Sequence, residues 1–451
     1  MRITIIHPCI GRHQGKRYIR SWQMEPLPAA RIAALTPSDV EVRFYDDRME
    51  RIPLDEPTDL VAISVETYTA MRSYQIASEY RNRRVPVVMG GFHATLCPDE
   101  VARYAEAVVV GEADTAWPLL IDDFQHGKLK KVYHGKSETS LSNIHFDRSI
   151  FRDKRYLPIG LVETARGCSR NCEFCAIQTF FERNHQRRSF DEVIKELQSL
   201  RKSKTLFFFV DDNFVSDLQL AKDFLRELIP LRIRWVTQMS ADAAHDEEFL
   251  DLLNRSGCQG VLMGFESLDP ATLGIIRKVF AIKQGSYFDA LKNLRRHSIR
   301  VYGTFIFGND LDTKASFDKA INFAIENQFY IAAFNHLTPF PGTPLYSRLQ
   351  EEGRLTNPAW WLDSDYRYNM VPFTPKLMTP DEVRENCLLA RKKFYSMRSI
   401  VQRGFTSVNR AGGFMFRHFF PINFMHRVEI SVRDGYPLGD EAWQGQLVEA
   451  V

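Results

Sequence analysis

The chain has 451 residues, 44% hydrophobic and 25% charged, with 59 Lys plus Arg against 56 Asp plus Glu and a formal net charge of +3. At roughly 100 to 200 residues per domain this length predicts two to three domains, and the balanced charge argues against a disordered tail protein or a dedicated nucleic-acid binder. No apolar run approaches the ~18 residues of a membrane span, and the opening Met1-Arg-Ile-Thr-Ile-Ile reads as a strand rather than a signal peptide, so a cytoplasmic protein is expected.

From residue 1 to about 135, near-continuous apolar runs alternate with helix-compatible stretches. Strands are expected at 3–6, 40–45, 60–65, 85–89 and 107–110, with helices around 28–35 and 70–81. This alternation predicts an open parallel sheet, whose ligands sit beyond the carboxyl ends of the strands. The loops at those ends read Ser64-Val-Glu-Thr67, Gly90-Gly-Phe-His-Ala-Thr95 and Gly111-Glu112. A polar, irregular stretch follows, with Gly127, Gly135 and a Ser/Thr run at 137–142, and it predicts a linker over 136–158.

A second series then begins, with strands expected at 159–163, 205–210, 234–238, 260–264, 300–307 and 330–337. Helices at 190–200, 218–228, 247–255 and 287–297 separate several of them, the period of a parallel barrel or partial barrel, expected here over 159–377. From 378 to 451 the chain reads as a mainly helical extension. Residues 401–428 hold six Phe, four Arg and no acid, which suits a cap over the barrel mouth that covers a hydrophobic or anionic substrate or touches a membrane surface. Gly412 and Gly413 interrupt any long helix there.

Seven cysteines, an odd number without an export signal, favour reduced thiols. Cys9, Cys97, Cys258 and Cys387 are scattered and read as small buried hydrophobes. Cys168, Cys172 and Cys175 are bunched within eight residues, in Thr164-Ala-Arg-Gly-Cys168-Ser-Arg-Asn-Cys172-Glu-Phe-Cys175, directly after the first strand of the second series. Three thiolates on a [4Fe–4S] cluster leave one iron open for a substrate or cofactor. A zinc site would instead need a fourth ligand such as His185. At the other strand ends, Asp211, Asp212, Ser240 and Glu266 fall at the rim. The plainer reading of each acid is a helix cap or a structural ion pair.

The CxxxCxxC spacing with Phe174 before its last cysteine resembles the radical S-adenosylmethionine (SAM) enzymes. The resemblance implies a cluster on Cys168, Cys172 and Cys175 whose open iron chelates the methionine part of SAM. Reductive cleavage then yields a 5'-deoxyadenosyl radical. It assigns SAM contacts to Phe174, Asp211, Asp212, Gln238, Ser240 and Glu266, with Asp-Asp standing where the family often has Gly-Gly-Glu.

A Rossmann-type domain ahead of the barrel, Gly90-Gly91 after its fourth strand and the Pro339-Phe-Pro-Gly-Thr-Pro344 turn resemble the cobalamin-binding branch of that superfamily over about residues 1–375. That branch includes the anaerobic magnesium-protoporphyrin ester cyclase, hopanoid methylases and natural-product C-methyltransferases. The resemblance implies a cobalamin-binding domain over 1–135 with contacts from Ser64, Thr67, Gly90, Gly91, His93, Gly111 and Glu112. The Asp-x-His-x-x-Gly motif that supplies a cobalt ligand is missing from His7-Pro-Cys-Ile-Gly-Arg-His13, so cobalt without a histidine is expected.

The implied activity is methyl transfer to an unactivated carbon of a small, hydrophobic molecule, one SAM methylating cobalamin and another supplying the radical. Radical cyclisation or rearrangement is the enzymatic alternative, and an iron-sulfur carrier or zinc-stabilised module the non-enzymatic one. An electron donor such as flavodoxin or ferredoxin is implied. The early cysteine triad of the methylthiotransferases is missing, which disfavours transfer-RNA modification.

Overall fold

The computed structural model describes residues 1–13, 15–16, 18–136 and 141–450, so the serine- and threonine-rich part of the expected linker, 137–140, lies outside the described residues. The N-terminal strands are β1 (Arg2–His7), β2 (Gly11–Arg12), β3 (Glu41–Asp46), β4 (Leu60–Ser64), β5 (Val87–Gly90), β6 (Ala107–Val110) and β7 (Val132–His134). All but β2 form one parallel sheet in the order β3-β1-β4-β5-β6-β7. The apolar runs are continuous because both faces are covered. Ile3, Ile5, Ala62, Val88 and Val109 pack under helices Leu27–Leu35 and Ala113–Gln125, while Ile6, Val61, Ile63 and Met89 pack under helix Ala70–Asn82. Strand order reverses between β1 and β4, which opens a crevice beyond their carboxyl ends.

The second series gives β8 (Ile159–Val162), a hairpin of β9 (Ala165–Gly167) and β10 (His185–Arg187), then β11 (Leu206–Phe209), β12 (Trp235–Gln238), β13 (Cys258–Glu266), β14 (Arg300–Phe307) and β15 (Ile331–His336). Without the hairpin these are six parallel strands in chain order, a partial barrel open between β8 and β15. Phe207, Phe209, Trp235, Met263, Phe265, Phe305 and Phe334 point outward into a packed core with the helices. The alternate positions Phe208, Val236, Leu262, Tyr302 and Ile306 are only partly covered, and Asn335 is exposed. A closed barrel is filled by such side chains; here the lumen is hollow.

The expected α/β architecture holds, with two differences at its boundaries. Trp360, Trp361 and Tyr366, expected in the barrel span, belong to the apolar core of the first domain, where the Trp361 indole donates to Glu100 at 3.0 Å. These rings find their apolar partners only across the domain boundary. The C-terminal segment is helical over Pro380–Phe394, Met397–Gly404, Ser407–Arg410 and Phe414–Arg433, the last beginning after the two glycines as expected. It then returns to the first domain, where β16 (Gly439–Asp440) pairs with β2. Gly11 permits this approach, since a Cβ there would lie 2.2 Å from the Pro437 carbonyl oxygen. Among the described residues no helix is long and apolar enough to cross a membrane.

Candidate active site

The cysteine loop begins where β8 ends, and its entry is held by Asp211, immediately beyond β11. Asp211 is fully buried. Its Oδ1 accepts from the amides of Thr164 at 2.7 Å and Ala165 at 3.0 Å, and its Oδ2 from the Thr164 hydroxyl. The sequence-based expectation of a rim carboxylate is therefore corrected: Asp211 continues the outward parity of Phe207 and Phe209 and clamps the loop. Asp212 has the lumen parity of Phe208. Its Oδ2 accepts from the Gly167 amide at 2.8 Å, Oδ1 is left without a protein partner among the described residues, and burial pushes its carboxyl up to about 7.

Cys168 and Cys175 are half-buried and Cys172 is buried. Burial pushes the Cys172 thiol up to about 11, against the pull of the Lys278 ammonium. Lys278, which the sequence reading did not single out, donates to Glu266 Oε1 at 2.6 Å. Glu266 sits at φ 59°, a left-handed conformation unusual for its residue type, and its Oε2 has no partner among the described residues. On the same rim Arg170 pairs with Asp242 at 2.6 Å, while Arg170 Nε, Asp242 Oδ1 and Ser240 Oγ are buried and have no partner among the described residues. Buried polar atoms are ordinarily paired, so this concentration of free donors and acceptors fits a zwitterionic, hydroxyl-bearing ligand such as SAM. Gln238 donates to the Asp211 carbonyl. Phe174 lines a cavity of about 220 Å³ with Tyr68, Phe340 and Tyr368. His185, the zinc alternative, lies on β10, where burial and Arg187 lower it to about 4.

A second cavity, of about 240 Å³, opens at the carboxyl ends of β4, β5 and β6 and runs inward along Ile5, Ala62, Val88 and Val109. Ser64, Gly90, Gly91, Gly111 and Glu112 line it as expected. Gly91 has φ 103°, and a Cβ there would lie 2.9 Å from the Val65 carbonyl oxygen. An apolar slot beneath a rim that includes Gly90, Gly91 and Gly111 fits the heterocyclic tail of a large planar cofactor such as cobalamin, whose ring would rest against the glycines. Two expected contacts are corrected. His93 is fully buried, its ring nitrogens 3.3 Å from Thr67 Oγ1 and 3.1 Å from Glu100, and Thr67 is buried with it, so both belong to the packing beneath the loop. His7 and Glu66 were missed: both stand on the cavity wall, at the reversal of strand order where the topology rule would have found them. Burial raises Glu66 to about 7 and lowers His7 to about 3.

Arg166, two residues before Cys168, ties the cysteine loop to the wall of the second cavity. It bonds Glu112 and Asp114 of the first domain at 2.8 Å each, and Glu163 of its own loop at 2.9 Å. Phe180 and Phe181, just after the cysteines, close the second cavity.

Residues 162–324 match the model of the Radical SAM superfamily. The chain is 30% identical over 389 residues, 84% of each protein, to the bacteriochlorophyllide d C-12(1)-methyltransferase of Chlorobaculum tepidum. The chain belongs to the radical SAM superfamily. This radical SAM protein is also 27% identical over 349 residues to the hopanoid C-2 methylase of Rhodopseudomonas palustris, covering 74% of this chain and 66% of that one. In fold it resembles the radical SAM methyltransferase TsrM from Kitasatospora setae, solved with cobalamin and a [4Fe-4S] cluster, with a TM-score of 0.65 at 16% identity over 96% of this chain and 99% of that one. The cobalamin-dependent radical enzyme OxsB, solved with aqua-cobalamin and SAM, gives 0.63 at 15% identity over 96% and 72%. The expectation of an enzyme with a [4Fe–4S] cluster and SAM stands, and the zinc-module and electron-carrier alternatives fall with the family assignment.

Proposed function

We propose that this radical SAM enzyme transfers a methyl group from SAM to an unactivated carbon of a small organic molecule, with cobalamin as its second cofactor. The observation that carries this reading is the shared wall of the two sites: the glycine-rimmed cavity is closed by Glu163, Arg166, Phe180 and Phe181, which flank the cysteines. The methyltransferase relatives support the same reading. Cys168, Cys172 and Cys175 would hold the cluster, Phe174, Asp212, Ser240 and Glu266 the SAM, and Ser64, Gly90, Gly91, Gly111 and Glu112 the cobalamin. When bound, the cluster supplies the electron that cleaves SAM, and cobalamin carries the methyl group.

The chain's own residues do the positioning. Arg166 fixes the cysteine loop to the cobalamin side through Glu112 and Asp114 while pairing with Glu163 of its own loop, Phe180 and Phe181 exclude water, and Lys278 offsets thiolate charge beside Cys172. An electron donor such as flavodoxin or ferredoxin and a cytoplasmic setting belong to the proposal, the latter supported by seven unpaired cysteines. So does peripheral membrane contact, through the exposed Val401, Phe405 and Val428. A 23% identical relative is the anaerobic magnesium-protoporphyrin IX monomethyl ester cyclase of Cereibacter sphaeroides, so product mass is the measurement that separates methylation from cyclisation.

The test is anaerobic reconstitution with iron, sulfide and hydroxocobalamin, followed by desalting. Stoichiometric cobalt is expected, with both S-adenosylhomocysteine and 5'-deoxyadenosine formed on reduction with SAM; failure to retain cobalt would remove the methyl-transfer reading. Gly91→Leu is expected to lose cobalt and keep iron, because neither its φ nor the nearby Val65 carbonyl admits a side chain. Asp212→Asn is expected to keep iron and cobalt but weaken SAM binding by ~30-fold or more, the cost of about 2–5 kcal/mol for removing one partner of a desolvated charge. Wild-type affinity in calorimetry would transfer the ammonium contact to Glu266.

A further inference from the structure

Beyond Phe174 the hollow barrel does not end. The aromatic cavity shares Asn335, Tyr368 and Asn369 with a smaller one of about 50 Å³, at the open edge beside β15. Its wall carries Arg391 from helix Pro380–Phe394 and His426 and Arg433 from helix Phe414–Arg433. Arg391 is held only by neutral acceptors: the Phe334 carbonyl at 3.0 Å, Asn335 Oδ1 at 3.1 Å and Asn369 Oδ1 at 3.3 Å. Among the described residues no carboxylate pairs with it. Arg433 is paired with Glu429 at 2.7 Å, yet its buried Nε has no partner among the described residues. Asn369 is 5% exposed, and its Nδ2 likewise has no partner among the described residues. Donors without acceptors and a cation without a counter-ion therefore converge on one small space. Each is costly alone, and an anion would satisfy both.

We infer that this cavity is the subsite for a carboxylate at one end of the substrate, whose flat, apolar body lies in the aromatic cavity beside Phe174. The inference rests on the methyltransferase reading only in taking that aromatic cavity as the substrate site. Guanidinium and amide groups suit a planar carboxylate, which Arg391 engages from the side and Asn369 Nδ2 from its own wall. The rings of Tyr68, Phe340 and Tyr368 supply an apolar slot and no further charge. The substrate class is accordingly a planar or aromatic carboxylic acid, set with its ring toward the cysteine loop and its acid group toward the C-terminal helices.

The experiment uses the reconstituted holoenzyme without SAM and a series of naphthyl-alkanoic acids, differing in the number of methylenes before the carboxyl group, each paired with its primary amide. Calorimetry at neutral pH is expected to find the best-fitting acid about 10-fold or more tighter than its amide, the size of one charge-assisted contact. Arg391→Met should erase that preference by weakening the acid far more than the amide. Asn369→Asp, which keeps the shape and tolerates the backbone conformation, should reverse it by setting a carboxylate against a carboxylate. Iron and cobalt contents equal to wild type show that each variant is folded and loaded, so failure here is distinguishable from failure of the methyl-transfer reading. Acids and amides that bind alike across the whole series, or a preference that survives in Arg391→Met, would overturn the inference.

Discussion

Alanine at Cys168, Cys172 or Cys175 is expected to abolish the visible iron–sulfur absorption and 5'-deoxyadenosine formation together. Each thiolate would hold one iron of the cluster and leave the fourth open to SAM, so a cluster that has lost a cysteine ligand could be completed only at the cost of its reactive position. The loss should be complete rather than graded, because SAM cleavage needs an electron that nothing else in the site supplies. Iron assay and product analysis after anaerobic reconstitution make the check, with far-UV circular dichroism showing that the partial barrel remains. The three variants should be equivalent in iron loss, even though Cys172 is the most buried thiol and the one beside Lys278. SAM cleavage at wild-type rate in any of them would remove that thiol from the ligand set.

Asp211→Ala is expected to destabilise the protein by about 3–5 kcal/mol, because three buried donors, the Thr164 amide and hydroxyl and the Ala165 amide, lose their acceptor at about 1–3 kcal/mol each. Thermal unfolding monitored by circular dichroism should show a fall in melting temperature of roughly 3–5 °C. The cysteine loop hangs from this carboxylate, so cluster retention should fall with stability. Asp211→Asn should rescue much of the loss, since its Oδ1 still accepts from both amides and the Thr164 hydroxyl can turn to accept from its Nδ2. An unchanged melting temperature with weakened SAM binding would instead place Asp211 at the rim. The contrast with Asp212→Asn is the sharpest consequence of the geometry: neighbouring acids on one strand end, one expected to act on folding and the other on SAM affinity.

That contrast also marks how far the sequence reaches. The strand positions of both sheets were legible because their apolar runs repeat locally. The short strands β7, β9, β10 and β16 were not, because two or three residues carry no period and their pairing comes from distant partners. The cysteine spacing was legible for the same local reason. Asp211 and Asp212 were visible as a pair at a strand end, but which of them enters the lumen depends on the face that packs. Side chains alternate along a strand, and the buried Phe207 and Phe209 set that parity. His93 shows the opposite error: a polar residue beside two glycines suggested a cofactor contact, whereas its neighbours Thr67 and Glu100 satisfy it within the packing.

By itself, then, the sequence determined the β-α order, the cysteine motif and the glycine rim, all patterns written in residues within a few positions of one another. Only the tertiary structure decided which charges meet. Lys278 reaches Glu266 and Cys172 from beyond a helix, Arg166 joins the cysteine loop to Glu112 and Asp114, and Arg391 and Arg433 share a cavity with Asn369. Such partners are separated along the chain by as much as about a hundred residues, and no periodicity links them. What selects them is the desolvation of a buried polar group, which must be satisfied by whatever the packing of sheets and helices brings within reach.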